Sequence, residues 1–191
     1  MSKTIFIIPG FKEQISDTNY RWLVSYLKDN DYVVHPVLIT WNNRTVTQNA
    51  QEFLDFFELH KTENSYVLGF SYGAVIALMT AKIVNPEKLI LCSLSADFKE
   101  DTNSMPVWLR KYIGVNRYED TKNRSSVKLA KSLETDTIIF CGEKESVDYP
   151  QLLKRCEETA ELAKKSILIM VKEAPHDISF PTYQAAIKKV I

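Results

Sequence analysis

The stretch Val67-Leu68-Gly69-Phe70-Ser71-Tyr72-Gly73 decides the fold. Two of the chain's five glycines lie two positions before and two positions after Ser71. The residues before the serine, from Ser65, form a short apolar run typical of a buried strand, and residues 74–81 form an apolar helical run. A serine on so tight a turn has a strained backbone, and only small neighbours let the strand and the helix pass each other. The stretch therefore predicts a strand, a sharp turn that presents Ser71, and a helix.

Composition and charge limit the classes of protein to consider. The 191 residues, 45% of them hydrophobic, can bury one sizeable core, so we expect a single domain over residues 1–191. Lys plus Arg and Asp plus Glu both number 24, so no net field favours nucleic acid or an anionic membrane surface. The N-terminal apolar stretch is too short for a signal sequence, and no run reaches membrane-spanning length. We expect a cytoplasmic protein with no membrane span and a small-molecule partner.

Apolar runs alternate with helical patterns along the chain, which is typical of a parallel sheet with crossover helices. We expect an α/β protein with a mostly parallel six-stranded sheet and helices on both faces. The predicted strands cover residues 4–8, 32–39, 66–70, 88–94, 137–141 and 166–171. The predicted helices cover residues 18–29, 46–60, 72–84, 149–164 and 181–191.

One long segment interrupts the alternation. Residues 97 to about 132 carry no strand pattern, and a mixed apolar and basic helical pattern runs over 105–113. A connection this long is usually functional or contains helices of its own, so we interpret it as a lid-like insertion. Trp108 and Tyr112 from this insertion, and Trp41 after the second strand, are candidate walls of a substrate pocket.

The cysteines are odd in number and do not suggest a disulfide framework. Cys92 and Cys141 fall in strand-like apolar runs, and Cys156 lies in a helical pattern. We interpret all three as buried thiols rather than disulfide partners or metal ligands. No metal or organic cofactor is expected.

Four of the five glycines lie at or just beyond predicted strand ends, namely Gly10, Gly69, Gly73 and Gly142. In open parallel sheets, ligands and catalytic groups gather beyond the carboxyl ends of the strands. The glycines therefore mark one rim of the sheet as the place of a functional site.

At this rim the chain resembles the α/β-hydrolase superfamily over nearly its full length. Ser71, Glu145 and His176 follow one another in the family's order of nucleophile, acid and histidine. The resemblance is to the small serine hydrolases with little cap, and it implies an α/β-hydrolase fold with a short helical lid.

Three turns carry the resemblance beyond the serine. Residues 142–147 resemble the family's turn after a late strand, with Glu where Asp is usual. Ala174-Pro175-His176 resembles its histidine loop, and Pro9-Gly10-Phe11 resembles its oxyanion turn with Pro9 in place of the usual His. The antiparallel strands that often precede the first parallel strand in this family are absent from the pattern.

A serine hydroxyl is a weak nucleophile, so it needs a base within hydrogen-bond reach and a third group that orients that base. His176 is the predicted base, because His35 lies inside a strand pattern and His60 ends a helix. Glu145 is the predicted acid. The alternatives are Asp97 after the fourth strand, Asp148 and Glu143, whereas Asp177 is interpreted as a brace within its loop.

The backbone amides of Phe11 and Tyr72 are the predicted oxyanion hole, since the family uses the amide after the nucleophile and one after the first strand. Together these residues predict a serine hydrolase that cleaves a small ester or thioester through an acyl-enzyme. The alternative is a catalytically lapsed hydrolase fold that acts as a protein-binding module.

Overall fold

The predicted parallel sheet is present in the computed structural model, which describes residues 3–191. Within these residues six strands pair in the order β2-β1-β3-β4-β5-β6. All five pairings are parallel, so the sheet is parallel throughout rather than mostly so. The strands are β1 (Lys3–Ile8), β2 (Tyr32–Pro36), β3 (Ser65–Phe70), β4 (Lys88–Cys92), β5 (Asp136–Gly142) and β6 (Ser166–Val171).

Helices connect the strands along the described chain. They are α1 (Thr18–Asp29), α2 (Val46–His60), α3 (Tyr72–Val84), α4 (Val107–Ile113), α5 (Val115–Thr121), α6 (Ser126–Lys131), α7 (Glu143–Asp148), α8 (Pro150–Leu162) and α9 (Pro181–Lys188). The three helices α4 to α6, with a 3₁₀ turn over Lys99–Asp101, form the insertion between β4 and β5.

Two strands are shorter than predicted, for identifiable reasons. β2 ends at Pro36, which has no amide hydrogen for a sheet bond and lies on an edge strand. β4 ends at Cys92 because Ser93 has a φ of 54°, which turns the chain out of the extended conformation. The short helix α7 was missed, because six residues with little apolar content give almost no periodic signal.

The two faces of the sheet have separate hydrophobic cores. In β1, Phe6 and Ile8 pack on the face covered by α2, α3 and α8, whereas Ile5 and Ile7 pack on the face covered by α1 and α9. This alternation follows from the two-residue period of a strand. Burial on both faces explains why β1 has an uninterrupted apolar sequence.

The insertion is fixed to the body of the protein by a buried ion pair. Arg155 of α8 donates to Asp101 at 2.5 Å and to the hydroxyl of Ser126 at 2.6 Å, and both charged side chains are buried. Met105 and Ile113 add apolar contacts from the insertion to the core. The insertion is therefore packed against α8 and the hydrophobic core.

The three cysteines are buried free thiols, as predicted. Among the helices formed by residues 3–191, none combines the length and the apolar character needed to cross a membrane.

Candidate active site

The site lies where the order of strands reverses. From β1 the chain first moves to β2 on one side and then returns to place β3 on the other side of β1. At such a switch point the loops that leave two adjacent strands separate and open a crevice at their carboxyl ends. Gly10 and Phe11 follow β1 at this crevice, and Ser71 follows β3.

The backbone at Ser71 has φ 54° and ψ −115°, a conformation that residues other than glycine adopt only under strain. Two glycines make the turn possible. A Cβ at Gly69 would lie 2.3 Å from the carbonyl oxygen of Gly73, and a Cβ at Gly73 would lie 2.2 Å from that of Ile8. The Ser71 amide donates to the carbonyl of Cys92 at 2.8 Å, which fixes the turn against β4.

Ser71, His176 and Glu145 form a continuous chain of hydrogen bonds. His176 Nδ1 lies 2.7 Å from Glu145 Oε1, and His176 Nε2 lies 3.0 Å from Ser71 Oγ. Because a carboxylate can only accept, Nδ1 carries the hydrogen and Nε2 is left to accept from the serine. The structure thus brings the three residues together in the arrangement that a general base mechanism needs.

Glu145 and His176 differ in their exposure to solvent. Glu145 is fully buried, and its second oxygen accepts from the Gly142 amide at 2.6 Å. The His176 side chain is 33% exposed, and its ring lies between Phe70, at 5.0 Å, and Tyr149, at 6.1 Å between centroids. The carboxylate is therefore held rigidly, while the imidazole faces the cavity.

The alternative carboxylates do not contact the histidine, since both ring nitrogens are engaged by Glu145 and Ser71. Asp148 is exposed at the end of α7, and Glu143 accepts instead from the Glu173 amide. Asp177 accepts from the Ser179 amide and hydroxyl, as expected for a loop brace.

Asp97 lies in the wall of the same cavity but is buried. Burial raises the pKa of its carboxyl above the usual value, although a hydrogen bond from Ser95 and the charge of Arg124 oppose the shift. Its Oδ1 has no hydrogen-bond partner within residues 3–191.

The remaining histidines lie elsewhere. His35 is in β2 and His60 ends α2, with ring centroids 5.0 Å apart. Burial, followed by the proximity of His60, lowers the pKa of His35. Neither ring lines the cavity at Ser71.

A cavity of about 350 Å³ opens in front of Ser71 and His176. Its wall includes the predicted residues Phe11, Tyr72, Trp108 and Tyr112. Phe11 and Tyr72 are adjacent, with ring centroids 5.4 Å apart, and Tyr72 begins α3, where an amide has no partner inside the helix. The two residues whose amides are expected to form an oxyanion hole thus line the same cavity.

Trp41 is not part of that wall. It is buried, and its indole donates to the Glu13 carbonyl at 3.0 Å. It lines an adjacent cleft whose wall also includes Phe11. Sequence reasoning missed other wall residues, namely Glu13, Phe70, Ser95, Tyr149 and Leu152. Phe70 lies inside the stretch around Ser71 but is a variable position of that pattern, and the other four come from elements distant in sequence with no motif that could have revealed them.

Within residues 3–191, no three His, Cys, Asp or Glu side chains are grouped as ligands of a metal ion.

Searches with protein-family models and against curated proteins find no match to the sequence. Solved structures match over the whole fold. The α/β hydrolase domain-containing protein 10 from mouse superposes with a TM-score of 0.81 at 13% identity, over 100% of this chain and 88% of that one.

Two microbial proteins match similarly. An α/β-hydrolase enzyme from the metagenome of sediments of the Mar Chica lagoon, Morocco, gives a TM-score of 0.75 at 19% identity, over 99% of this chain and 90% of that one. An esterase from Exiguobacterium antarcticum gives 0.73 at 16% identity, over 99% and 90% respectively. At these identities the likeness is one of fold.

Proposed function

We propose that this chain, which has the α/β-hydrolase fold, is a serine hydrolase that cleaves a small ester or thioester through an acyl-enzyme. The observation that carries the proposal is the unbroken hydrogen-bonded chain from Glu145 through His176 to Ser71 on a strained turn. The serine lies on a strained turn beside a histidine, and a buried carboxylate orients that histidine. This is the arrangement of an activated nucleophile.

In the acylation step, Ser71 Oγ attacks the carbonyl carbon of the substrate and its proton passes to His176 Nε2. The carbonyl oxygen becomes an oxyanion, to which the amides of Phe11 and Tyr72 donate. The bond to the leaving group then breaks, and His176 returns the proton to the departing oxygen or sulfur.

In the deacylation step, a water molecule loses its proton to His176 Nε2 and attacks the acyl carbon. Collapse of the second tetrahedral intermediate frees the acid and returns the proton to Ser71 Oγ. Glu145 fixes the ring tautomer and stabilises the imidazolium that forms in each step. The hydrogen bonds that its two oxygens accept from His176 Nδ1 and the Gly142 amide support this role.

A fluorophosphonate probe and p-nitrophenyl butyrate test the proposal together. We expect the native protein to be labelled by the probe and to hydrolyse the ester, and we expect Ser71→Ala to lose both activities. Thermal stability should change little, because within residues 3–191 the Ser71 hydroxyl forms a hydrogen bond with His176 alone.

Ser95→Ala is the matched control, since Ser95 lines the same cavity. Labelling and turnover should persist in that variant. Unchanged turnover in a pure Ser71→Ala preparation would contradict the proposal. A native protein that neither reacts with the probe nor turns over any ester or thioester would favour the lapsed, protein-binding alternative.

Esters of increasing acyl length, followed by the matching thioesters, would identify the preferred acyl group. Trp108, Leu109 and Tyr112 stand in the cavity wall and would limit its length. The small-molecule substrate and the cytoplasmic location stay predictions from the sequence.

A further inference from the structure

A second cleft adjoins the cavity at Ser71. It has a volume of about 320 Å³ and shares Phe11, Tyr112 and Ile113 with the first cavity. Its other lining residues are Lys12, Trp41, Asn42, Asn43, Arg44, Gly114, Val115, Asn116 and Arg117. A single molecule could therefore extend from Ser71 past Phe11 into this cleft.

The polar lining of the cleft is cationic. Lys12, Arg44 and Arg117 contribute positive charges, and three asparagines contribute amide groups. No Asp or Glu is among the residues that line it. The whole chain carries no net charge, so this concentration of cations is a local feature.

Arg117 is the most unusual member of the lining. Its side chain is only 6% exposed, and its guanidinium lies 4.5 Å from the Phe11 ring centroid. One terminal nitrogen donates to the Trp41 carbonyl, but Nε has no hydrogen-bond partner within residues 3–191. Burial lowers the pKa of the guanidinium, because the charged form is desolvated.

No carboxylate neutralises this charge at close range within the described chain. The same helix holds two acids, and each has another partner. Asp120 pairs with Arg124 at 2.6 Å and accepts from the Thr47 hydroxyl at 2.7 Å, and Glu119 pairs with Lys122 at 2.7 Å. A buried charge without a partner is costly, and an anion that donates no hydrogen bond but accepts several would offset that cost.

Lys12 lines the second cleft beside the wall that it shares with the first cavity. Its ammonium lies 5.0 Å from the ring centroid of Phe11 and 4.7 Å from that of Tyr112, and these rings form the shared wall. Its φ of 65° is in the left-handed region, so the loop after β1 holds Lys12 at this position with some strain. A cation is thus placed against the two aromatic rings of the shared wall.

We propose that this cleft binds a phosphate group carried by the substrate, so that the substrate is an organic phosphate with a nearby ester or thioester. The binding of phosphate stands by itself, whereas the ester or thioester of the substrate rests on the proposed function. Three cations suit a dianion better than a single carboxylate, and guanidinium groups bind phosphate oxygens in a fork geometry.

Calorimetric titration of the native protein with glycerol 3-phosphate, glycerate and glycerol tests the cleft without any hydrolysis. Glycerol 3-phosphate should bind at least about tenfold more tightly than glycerate, as expected where charge-assisted hydrogen bonds are made, and glycerol should not bind measurably. Binding should weaken as salt is raised. Equal or tighter binding of glycerate, or no binding of the phosphate, would overturn the inference.

Arg117→Gln should weaken phosphate binding by about tenfold or more, which is the range for loss of a hydrogen-bonded charge. If that variant does not fold, the double variant Lys12→Gln with Arg44→Gln alters exposed side chains only and should give a comparable loss. Lys111→Gln is the matched control, an exposed cation of the insertion outside the cleft, and it should bind like the native protein.

A kinetic pair separates this inference from the proposed hydrolase activity. The kcat/KM for 1-butyrylglycerol 3-phosphate should exceed that for 1-butyrylglycerol by more than about tenfold. This ratio should fall towards one in the variants that replace Arg117, or Lys12 and Arg44, by Gln, and the change should be mainly in KM. Hydrolysis of the neutral ester without phosphate preference would overturn the cleft assignment and leave the hydrolase intact. Phosphate binding lost in the variants, with no hydrolysis of any ester, would support the cleft and contradict the hydrolase.

Discussion

Glu145 binds the imidazole with one carboxylate oxygen and the Gly142 amide with the other. A carboxylate with this role holds the histidine tautomer and stabilises the imidazolium in the transition state. We expect Glu145→Gln to lower kcat by at least about 10², because the amide could donate to Nδ1 and favour the wrong tautomer. Steady-state kinetics on p-nitrophenyl butyrate would measure the change.

Glu143→Gln and Asp148→Asn are the matched controls for Glu145, two residues before it and three after it. Both carboxylates are exposed, and we expect each change to stay within about tenfold. If Asp97→Asn lowered kcat severely while Glu145→Gln left it near the native value, the acid would instead be Asp97, after β4.

The burial of Asp97 leads to a prediction about how stability depends on pH, which does not involve catalysis. Below the ordinary Asp pKa, about 4, its carboxyl is protonated in both the folded and the unfolded chain. Burial raises the folded pKa, so as pH rises the unfolded chain loses this proton first and the folded state loses stability. We expect the Tm of Asp97→Asn, minus that of the native protein, to be larger at pH 8 than at pH 4.

Scanning fluorimetry across that range, with Asp148→Asn as an exposed control, measures the effect. The difference for Asp97→Asn should change more with pH than the difference for the control. A difference for Asp97→Asn that does not change with pH would mean that the folded protein does not raise the pKa of this carboxyl.

At the scale of elements, the junction of β3 and α3 depends on two close backbone contacts. A methyl group at Gly73 would lie 2.2 Å from the Ile8 carbonyl of the neighbouring strand, and backbone atoms cannot move aside as a side chain can. We expect Gly73→Ala to lower stability by more than about 2 kcal/mol, in the range of severe packing defects, and to abolish activity. Urea unfolding followed by circular dichroism would measure the loss.

Gly10→Ala is the comparison for the junction. Its nearest contact would be the carboxylate of Glu13 at 2.5 Å, which accepts from Tyr20 and from the Gly10 amide but belongs to a side chain that can shift more easily than backbone. We expect a smaller loss of stability than at Gly73. Equal losses at the two positions would argue against a uniquely tight crossing of strand and helix.

At the scale of the whole molecule, the insertion is held to α8 by the buried pair of Asp101 and Arg155. Removing one partner leaves a buried charge without compensation, which typically costs about 3–5 kcal/mol. We expect Asp101→Asn to destabilise the protein near the lower end of that range, because Arg155 keeps Ser126 and Glu158 as partners. Chemical unfolding of the full chain would measure it.

The pair of Lys164 with Glu134 provides the contrast. It is as short as the buried pair, at 2.5 Å, but both side chains are exposed. Water and salt screen such pairs, so Lys164→Gln should leave the unfolding midpoint unchanged. A large effect at Lys164 with none at Asp101 would reverse our account of how the insertion is anchored.

The amino-acid sequence by itself determined the order of elements, the parallel sheet and the turn at Ser71. These features depend on local pattern: the run of apolar residues in each strand, the helical periods between them, and the glycines at 69 and 73. Strand ends in a parallel sheet share one rim, so the sequence also limited the partners of Ser71 to a few loops.

Only the tertiary structure decided which carboxylate meets His176, where Trp41 lies, and that Arg117 is buried without an acid beside it. The turn over residues 142–147 favoured Glu145, but Asp97 also follows a strand that ends at this rim, so the sequence left it as an alternative. The short helix α7 directs Glu145 towards the imidazole, while the chain after β4 buries Asp97 in the cavity wall. Such contacts join residues 31 to 105 positions apart, and their distances depend on how whole elements pack rather than on any periodicity along the chain.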